Sequence, residues 1–132
     1  MRNLRIVAAG VASAAAVAFA ISCGSSSSSS APSPGPGSNP NTITISNNAA
    51  SPQNITVTRG SQVTFTNNDS RVHDMASDPH PEHTDCPELN QVGFLNPGQS
   101  RQSGNLNTAR RCGFHDHVNP DNAALRGTIT IQ

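Results

Sequence analysis

Polar and apolar residues alternate in short runs through the second half of this 132-residue chain. Runs with a period of two and many β-branched side chains lie at 42–45, 54–58, 62–66, 71–75 and 125–132. Turn clusters of Gly, Asn and Ser separate several of them, as at 59–61 and 67–70. Because side chains of a strand point alternately to its two faces, this pattern predicts an all-β sandwich or barrel with antiparallel strands. One helical turn is expected, near 122–125.

The N-terminal third of the chain has the features of an export signal. Arg2 and Arg5 precede an apolar run that is too short and too rich in alanine for a membrane span. Small residues then lead to Cys23, as in the lipobox of bacterial lipoproteins, where that cysteine is acylated. We therefore predict a lipoprotein signal peptide over 1–22, with ordinary cleavage that discards Cys23 as the alternative.

Residues 23–41 are rich in Ser, Gly and Pro and are predicted to be the lipidated cysteine and a flexible tether. The remaining domain, 42–132, is expected to be exported and held by its lipid at a bacterial membrane, on the periplasmic or cell-surface side.

The domain is small and poor in large side chains. The chain has no Trp and no Tyr, and the phenylalanines of the domain are Phe65, Phe94 and Phe114. A core this thin is marginal, so a metal or a disulfide would help to hold it. Without Arg2 and Arg5, six arginines face eight acidic residues. The sequence contains no basic stripe with interleaved aromatic residues, so it does not predict nucleic-acid binding. We expect the domain to be a monomer.

All five histidines and two of the three cysteines lie between positions 73 and 117. The two segments that carry them, HDMASDPHPEHTDC and CGFHDH, supply His73, Met75, His80, His83, Cys86, Cys112, His115 and His117. Imidazole and thiolate groups are ligands that favour copper or zinc over calcium or magnesium. The clustering predicts a metal-binding domain, with copper as the expected cofactor.

His73 and Met75 point to the same face of an extended run, which makes them a plausible pair of copper ligands. Cys112 and His115 lie three residues apart at the end of a predicted strand, where a turn would bring both onto one metal ion. Together with His73 they form the His₂Cys set of blue-copper electron-transfer sites, and Met75 or His117 is a possible further ligand.

The order of these features resembles the cupredoxins, the superfamily of plastocyanin and amicyanin. An ITVTRGSQVTFTNND stretch is followed by a histidine, and a Cys-x-x-His precedes a last GTITI strand, over essentially all of 41–132. The resemblance implies a Greek-key β-sandwich that exchanges single electrons with a redox partner protein and is not an enzyme. It implies His73 and His115 as imidazole ligands and Cys112 as the thiolate. The family's axial methionine is replaced here by Val118.

Two other copper functions follow from the same residues. In an oxidising compartment Cys86 and Cys112 pair by default, and Cys112 then cannot ligate. The histidines and Met75 would in that case form a colourless site of a copper carrier or chaperone with a copper donor or acceptor as partner. A disulfide-stapled domain without metal is a further alternative. The segment GFHDH also resembles the copper strand of copper-zinc superoxide dismutases, although Asp116 stands where that family has an apolar residue.

His80 and His83 lie in a proline-rich segment, 77–97, which is predicted to be a long ordered loop with a function. They are expected to cap the site, to form a second metal site with Asp78 or Asp85, or to be free. We do not expect them to be direct ligands of the copper.

Overall fold

The computed structural model describes residues 40–132. This part of the chain contains nine strands and two 3-10 turns, which are joined by loops. The strands are β1 (Thr42–Ser46), β2 (Ala49–Ser51), β3 (Asn54–Val57), β4 (Thr64–Asn67), β5 (His73–Ser77), β6 (Gly93–Leu95), β7 (Ser100–Gln102), β8 (Arg111–Asp116) and β9 (Gly127–Ile131). The turns are Leu89–Gln91 and Ala123–Leu125, and the second lies where the sequence predicted one.

The N-terminal predictions cannot be compared with this structure. The signal peptide (1–22), the acylated Cys23 and nearly all of the tether (23–41) lie outside the described residues. Within residues 40–132, no helix is long and apolar enough to cross a membrane.

The strands form two sheets, one in the order β2-β1-β4-β7 and the other in the order β3-β9-β8-β5-β6. This arrangement confirms the predicted all-β sandwich. Most neighbouring strands are antiparallel, as expected, but β1 pairs with β4 and β3 pairs with β9 in parallel. The parallel pairs arise because the chain passes repeatedly from one sheet to the other, so that strands joined through the opposite sheet become neighbours.

The core lies between the two sheets and is built from the apolar half of each alternating strand. Ile43 and Ile45 of β1, and Ile129 and Ile131 of β9, are buried, while their polar neighbours are not. Phe65 of one sheet and Phe114 of the other meet edge to face, with ring centroids 5.4 Å apart. This geometry suits the ring quadrupoles and supports a core that has few other large side chains.

Pairing of β5 with β8 sets the position of the functional residues. We call the side of the five-stranded sheet that faces the other sheet its inner face and the opposite side its outer face. Phe114 of β8 packs on the inner face, so the alternation of the strand places Cys112 there and turns Gly113 and His115 to the outer face. Ala76 of β5 lies opposite His115 in the register.

Cys86 and Cys112 are joined by a disulfide, with their Cα atoms 5.7 Å apart. Both side chains are fully buried within the core. The bond closes a loop of 26 residues, and restriction of the unfolded chain by such a loop stabilises a fold by about 3 kcal/mol. The thin core therefore has a covalent support.

We predict that Phe114→Ala lowers the free energy of unfolding by about 3–5 kcal/mol, because it opens a cavity and removes the contact with Phe65. Phe94→Ala is the matched control: this ring is 60% exposed, and its loss should change stability by less than about 0.5 kcal/mol. Urea unfolding of the two variants measures both values. Equal losses would contradict the described core.

Candidate metal centre

The loop that spans residues 78–85 leaves β5 and returns to the point at which it began. The backbone N–H of Asp78 donates to the carbonyl of Gly113 (3.0 Å), which continues the pairing of β5 with β8 by one residue. The N–H of Asp85 then donates to the carbonyl of Asp78 (2.8 Å) and closes the loop. The prolines at 79 and 81 exclude a continued strand, so the intervening residues fold back over the outer face.

His83 is held at the turn of this loop. Its N–H donates to the carbonyl of Pro79 (2.7 Å), and its carbonyl accepts from the side-chain amide of Asn90 (2.9 Å). The amide oxygen of Asn90 accepts in turn from the N–H of Ser77 at the end of β5 (2.9 Å). His83 has a φ of 55°, a conformation that is unfavourable for a residue with a Cβ atom and that persists only when its surroundings enforce it.

Four histidines converge on the outer face, two from this loop and two from the end of β8. Each offers one ring nitrogen that lies within 4.8 Å of the other three; we call this group the imidazole cluster: His80, His83, His115 and His117. Nδ1 of His117 and Nε2 of His83 are 3.1 Å apart. His115 is fully buried, whereas His80 and His117 are exposed to solvent.

His115 is the best-defined member of the imidazole cluster. Its Nδ1–H donates to Oδ1 of Asp78 at 2.7 Å, because a carboxylate can only accept. In the neutral form of the ring that bond leaves the lone pair on Nε2, which is buried and has no hydrogen-bond partner among the residues that the structure describes. A buried polar atom without a partner costs about 1–3 kcal/mol. Histidines that bind metals have this arrangement, with one nitrogen fixed by a carboxylate and the other turned to the ion.

The protonation state of His83 favours metal binding. Burial lowers the pKa of His83 below its ordinary value of 6.5, and the neighbouring rings of His115, His117 and His80 lower it further. A positive charge on His83 would lie a few ångströms from these rings, which disfavours its protonation. His83 is therefore neutral at pH 7, and a neutral imidazole is the form that ligates.

Distances within the imidazole cluster fit a single ion of the late first-row transition series. Imidazole nitrogens bind such ions at roughly 2.0–2.1 Å, so adjacent ligand atoms lie about 3.0–3.4 Å apart. The 3.1 Å between His83 and His117 falls in that range. The four ligand atoms lie within 4.8 Å of one another, whereas opposite ligands of one ion lie roughly 4 Å apart, so the rings would draw closer to bind an ion together. The donor set suits copper, zinc or nickel.

His73, predicted as the first imidazole ligand, does not belong to the imidazole cluster. It is buried on the inner side of β5, where its Nδ1–H donates to Oδ2 of Asp116 (2.8 Å). Its Nε2 lies 3.5 Å from Oδ2 of Asp69. The pKa of Asp69 is below its ordinary value, mainly because the N–H groups of Asn48 and Ser70 donate to its carboxylate, and His73 adds to this effect. The neighbour of His73 on β8 is thus a carboxylate and not a thiolate.

Cys112 and Met75 are also separate from the imidazole cluster. The sulfur of Cys112 is bonded to Cys86 and lies on the inner face, opposite to His115. Met75 is buried in the core. The set predicted from the sequence, His73, Cys112 and His115, is therefore not brought together in this structure. The reason is that β8 continues to Asp116, so residues 112 and 115 fall on opposite faces of one strand.

The sequence predicts His115 and His117 in a metal site, and the structure brings them together with His80 and His83. For His80 and His83 the sequence predicts only a cap, a second metal site with Asp78 or Asp85, or no role. Their spacing of three residues was visible, as was the high density of histidine around them. Their position depends on how the 78–85 loop folds back, and this follows from contacts with Gly113 and His115, which lie more than thirty residues away in the sequence. Val118, at the axial methionine position of the resemblance, is 58% exposed.

An open depression of about 350 Å³ adjoins the imidazole cluster. His83 and His117 form part of its wall, and the carboxylates of Asp74 and Glu82 lie on the same wall. The site can thus be reached from solvent on a side that carries negative charge.

The chain is similar in fold to solved structures of three kinds. A purple cupredoxin from Nitrosopumilus maritimus matches with a TM-score of 0.53 and 20% identity, over 69% of this chain and 98% of that one. An oxidised plastocyanin from Dryopteris crassirhizoma matches with a TM-score of 0.54 and 23% identity, over 69% and 99%. A Cu(I) structure of an amicyanin variant matches with a TM-score of 0.54 and 17% identity, over 69% and 80%.

No protein-family profile matches this chain, and no curated protein sequence does. At these identities the structural likeness establishes the fold, which is that of the cupredoxins. The resemblance seen in the sequence is confirmed at that level.

Proposed function

We propose that this chain, which has the cupredoxin fold, is an exported copper-binding protein that holds copper at the imidazole cluster and hands it to an acceptor. The observation that carries the proposal is the convergence of three other imidazoles on the buried Nε2 of His115, which has no hydrogen-bond partner among residues 40–132. Such a nitrogen is costly unless an ion occupies its lone pair. Nε2 of His73 is also buried without a hydrogen-bond partner, but it lies beside the carboxylate of Asp69 and not among imidazoles.

Copper is the metal that the donor set and the fold together favour. Among divalent first-row ions, sites built from nitrogen ligands bind Cu²⁺ most tightly. Imidazole also ligates Cu⁺, so a site of this kind can hold either oxidation state. The similar structures described above are cupredoxins, and the amicyanin variant among them is described as a Cu(I) form.

Two features of the site support carriage of copper over electron transfer through a His₂Cys centre. Cys112 is in a disulfide, so no thiolate is available to it. His80 and His117 are exposed, so the ligands of an acceptor protein can approach the ion one imidazole at a time. His115 is buried and would hold the ion until the exchange is complete.

Electron transfer is the second candidate function, and the cupredoxin fold favours it. Bound copper would supply a reversible one-electron centre at the imidazole cluster. A redox partner protein would then approach the exposed edges of His80 and His117. Neither function requires an enzymatic reaction.

The N-terminal features support a lipid-anchored location for this activity. The lipobox-like residues before Cys23 and the Ser/Gly/Pro-rich stretch after it suit an acylated cysteine and a tether. Disulfides persist in oxidising compartments outside the cytoplasm, so the Cys86–Cys112 bond is consistent with export. We propose that the domain acts as a monomer within the reach of its tether.

The first prediction concerns the ligands. His115→Gln should lower the affinity for Cu²⁺ by on the order of 100-fold or more, above the ~10–100-fold typical of a residue that only supports a ligand. His73→Gln is the matched control and should leave the affinity unchanged, while lowering stability by about 1–3 kcal/mol because the buried Oδ2 of Asp116 loses its hydrogen bond from His73. Competition titrations and urea unfolding measure these quantities. A loss of copper affinity in the His73 variant alone would favour a site at His73.

The second prediction separates an imidazole site from a thiolate site. The purified oxidised chain carrying Cys23→Ala should show no free thiol after denaturation. With Cu²⁺ it should show only weak visible absorption and nitrogen hyperfine splitting in its electron paramagnetic resonance spectrum. An intense visible band that disappears in Cys112→Ser would instead establish Cys112 as a ligand and move electron transfer ahead of carriage.

The third prediction concerns the anchor. In bacterial cells the chain should sediment with membranes, and its mature N-terminus should carry acyl groups on Cys23 by mass spectrometry. Cys23→Ala should abolish the acylation without changing copper binding by the domain. A mature N-terminus downstream of Cys23 would show ordinary cleavage instead.

A further inference from the structure

Asp78 occupies a place from which it can control the imidazole cluster without belonging to it. Its backbone lies across from Gly113, one residue beyond the last register pair of β5 and β8. Its side chain lies on the outer face and reaches diagonally to His115, two residues further along β8, with an oxygen–nitrogen distance of 2.7 Å. Diagonal neighbours of this kind are within the reach of polar side chains in an antiparallel pair.

We propose that Asp78 is the positioning residue of the copper site: its carboxylate fixes the tautomer and the ring orientation of His115, so that Nε2 points to the ion. This inference rests on the proposed function. A free imidazole populates two tautomers, and only the one with Nδ1–H leaves the lone pair on Nε2. A hydrogen bond to a carboxylate selects that tautomer and makes the ring a stronger ligand.

The proposal includes a role for Gly113. A Cβ atom at this position would lie 2.8 Å from Cγ and 2.9 Å from Cβ of Asp78 and still closer to one carboxylate oxygen. These distances are shorter than real Cβ contacts, so any larger residue would push the carboxylate away from His115. Position 113 is thus a glycine because the side chain of Asp78 passes over it to reach His115.

A nearby cation also acts on Asp78. The guanidinium of Arg126 lies 3.8 Å from the same oxygen that accepts from His115. Arg126 is about half exposed, so water screens much of this attraction.

The test compares four variants of the full chain: Asp78→Asn, Asp78→Ala, Gly113→Ala and the double variant Asp78→Ala/Gly113→Ala. Asp85→Asn is the matched control, because it removes the same charge from the same loop at a residue whose described contact with Asp78 is made by its backbone. Affinity for Cu²⁺ is measured by competition titration. The tautomer of His115 is read in the metal-free protein from two-bond ¹H–¹⁵N correlations of its ring.

We expect the metal-free protein to hold His115 in the Nδ1–H tautomer and Asp78→Ala to give a mixture of tautomers. Copper affinity should fall by about 10- to 100-fold in Asp78→Ala, the range found when supporting partners of metal-bound histidines are removed. Asp78→Asn keeps an acceptor without the charge and should fall between the wild type and Asp78→Ala. Gly113→Ala should also weaken copper binding in the wild-type background. The double variant should bind copper as weakly as Asp78→Ala alone, because the carboxylate that Gly113→Ala displaces is already absent.

Two results would overturn the role of Asp78. The first is an unchanged tautomer and copper affinity in Asp78→Ala, and the second is an equal loss of affinity in Asp85→Asn. Unfolding by urea is measured for each variant, and a variant that loses stability without a change in tautomer or affinity would have a structural role only. Failure of the wild type to bind copper would instead count against the proposed function, and the tautomer measurement would still decide whether Asp78 orients His115.

Discussion

The alternation of side chains along β8 is the constraint on which the rest of this structure depends. Phe114 has to face inward, because it is the counterpart of Phe65 in a core with few large side chains. That one requirement fixes every other residue of the strand, since a shift by one position would exchange the two faces. Cys112 therefore joins the core and its disulfide, and His115 turns to the outer face.

The same constraint explains which parts of the molecule could be predicted from the sequence. The strands beginning at Thr42 and ending at Ile131 follow from a period of two, which is a local property. The direction of Cys112 relative to His115 could also have been read from that period, had the strand been extended to Asp116. The sequence instead suggested a turn, because Cys-x-x-His is the spacing that a turn would bring onto one ion. The assignment of ligands thus depended on where one strand ended.

The path of the 78–85 loop has no such local signal. Its prolines exclude a strand, but its closure depends on bonds between Asp78 and Gly113, Asp78 and His115, and Asn90 and His83. These are single polar contacts between distant parts of the chain and leave no periodic trace in the sequence. The position of His80 and His83 over β8 therefore could not be predicted from the sequence, whereas the outward direction of His115 follows from the alternation along β8.

The Cys86–Cys112 disulfide has a consequence for how the proposed binding of copper would act on the folding of this chain. His83 precedes Cys86 by three residues, and His115 follows Cys112 by three. All four histidines of the imidazole cluster thus lie within six residues of one covalent crosslink. When the oxidised chain unfolds, the disulfide still joins the segment that carries His80 and His83 to the segment that carries His115 and His117. The two pairs of histidines therefore stay close and keep a high effective concentration for each other. Under the proposed function the unfolded oxidised chain would itself bind copper, and the metal would stabilise the fold by less than its affinity for the native site alone implies.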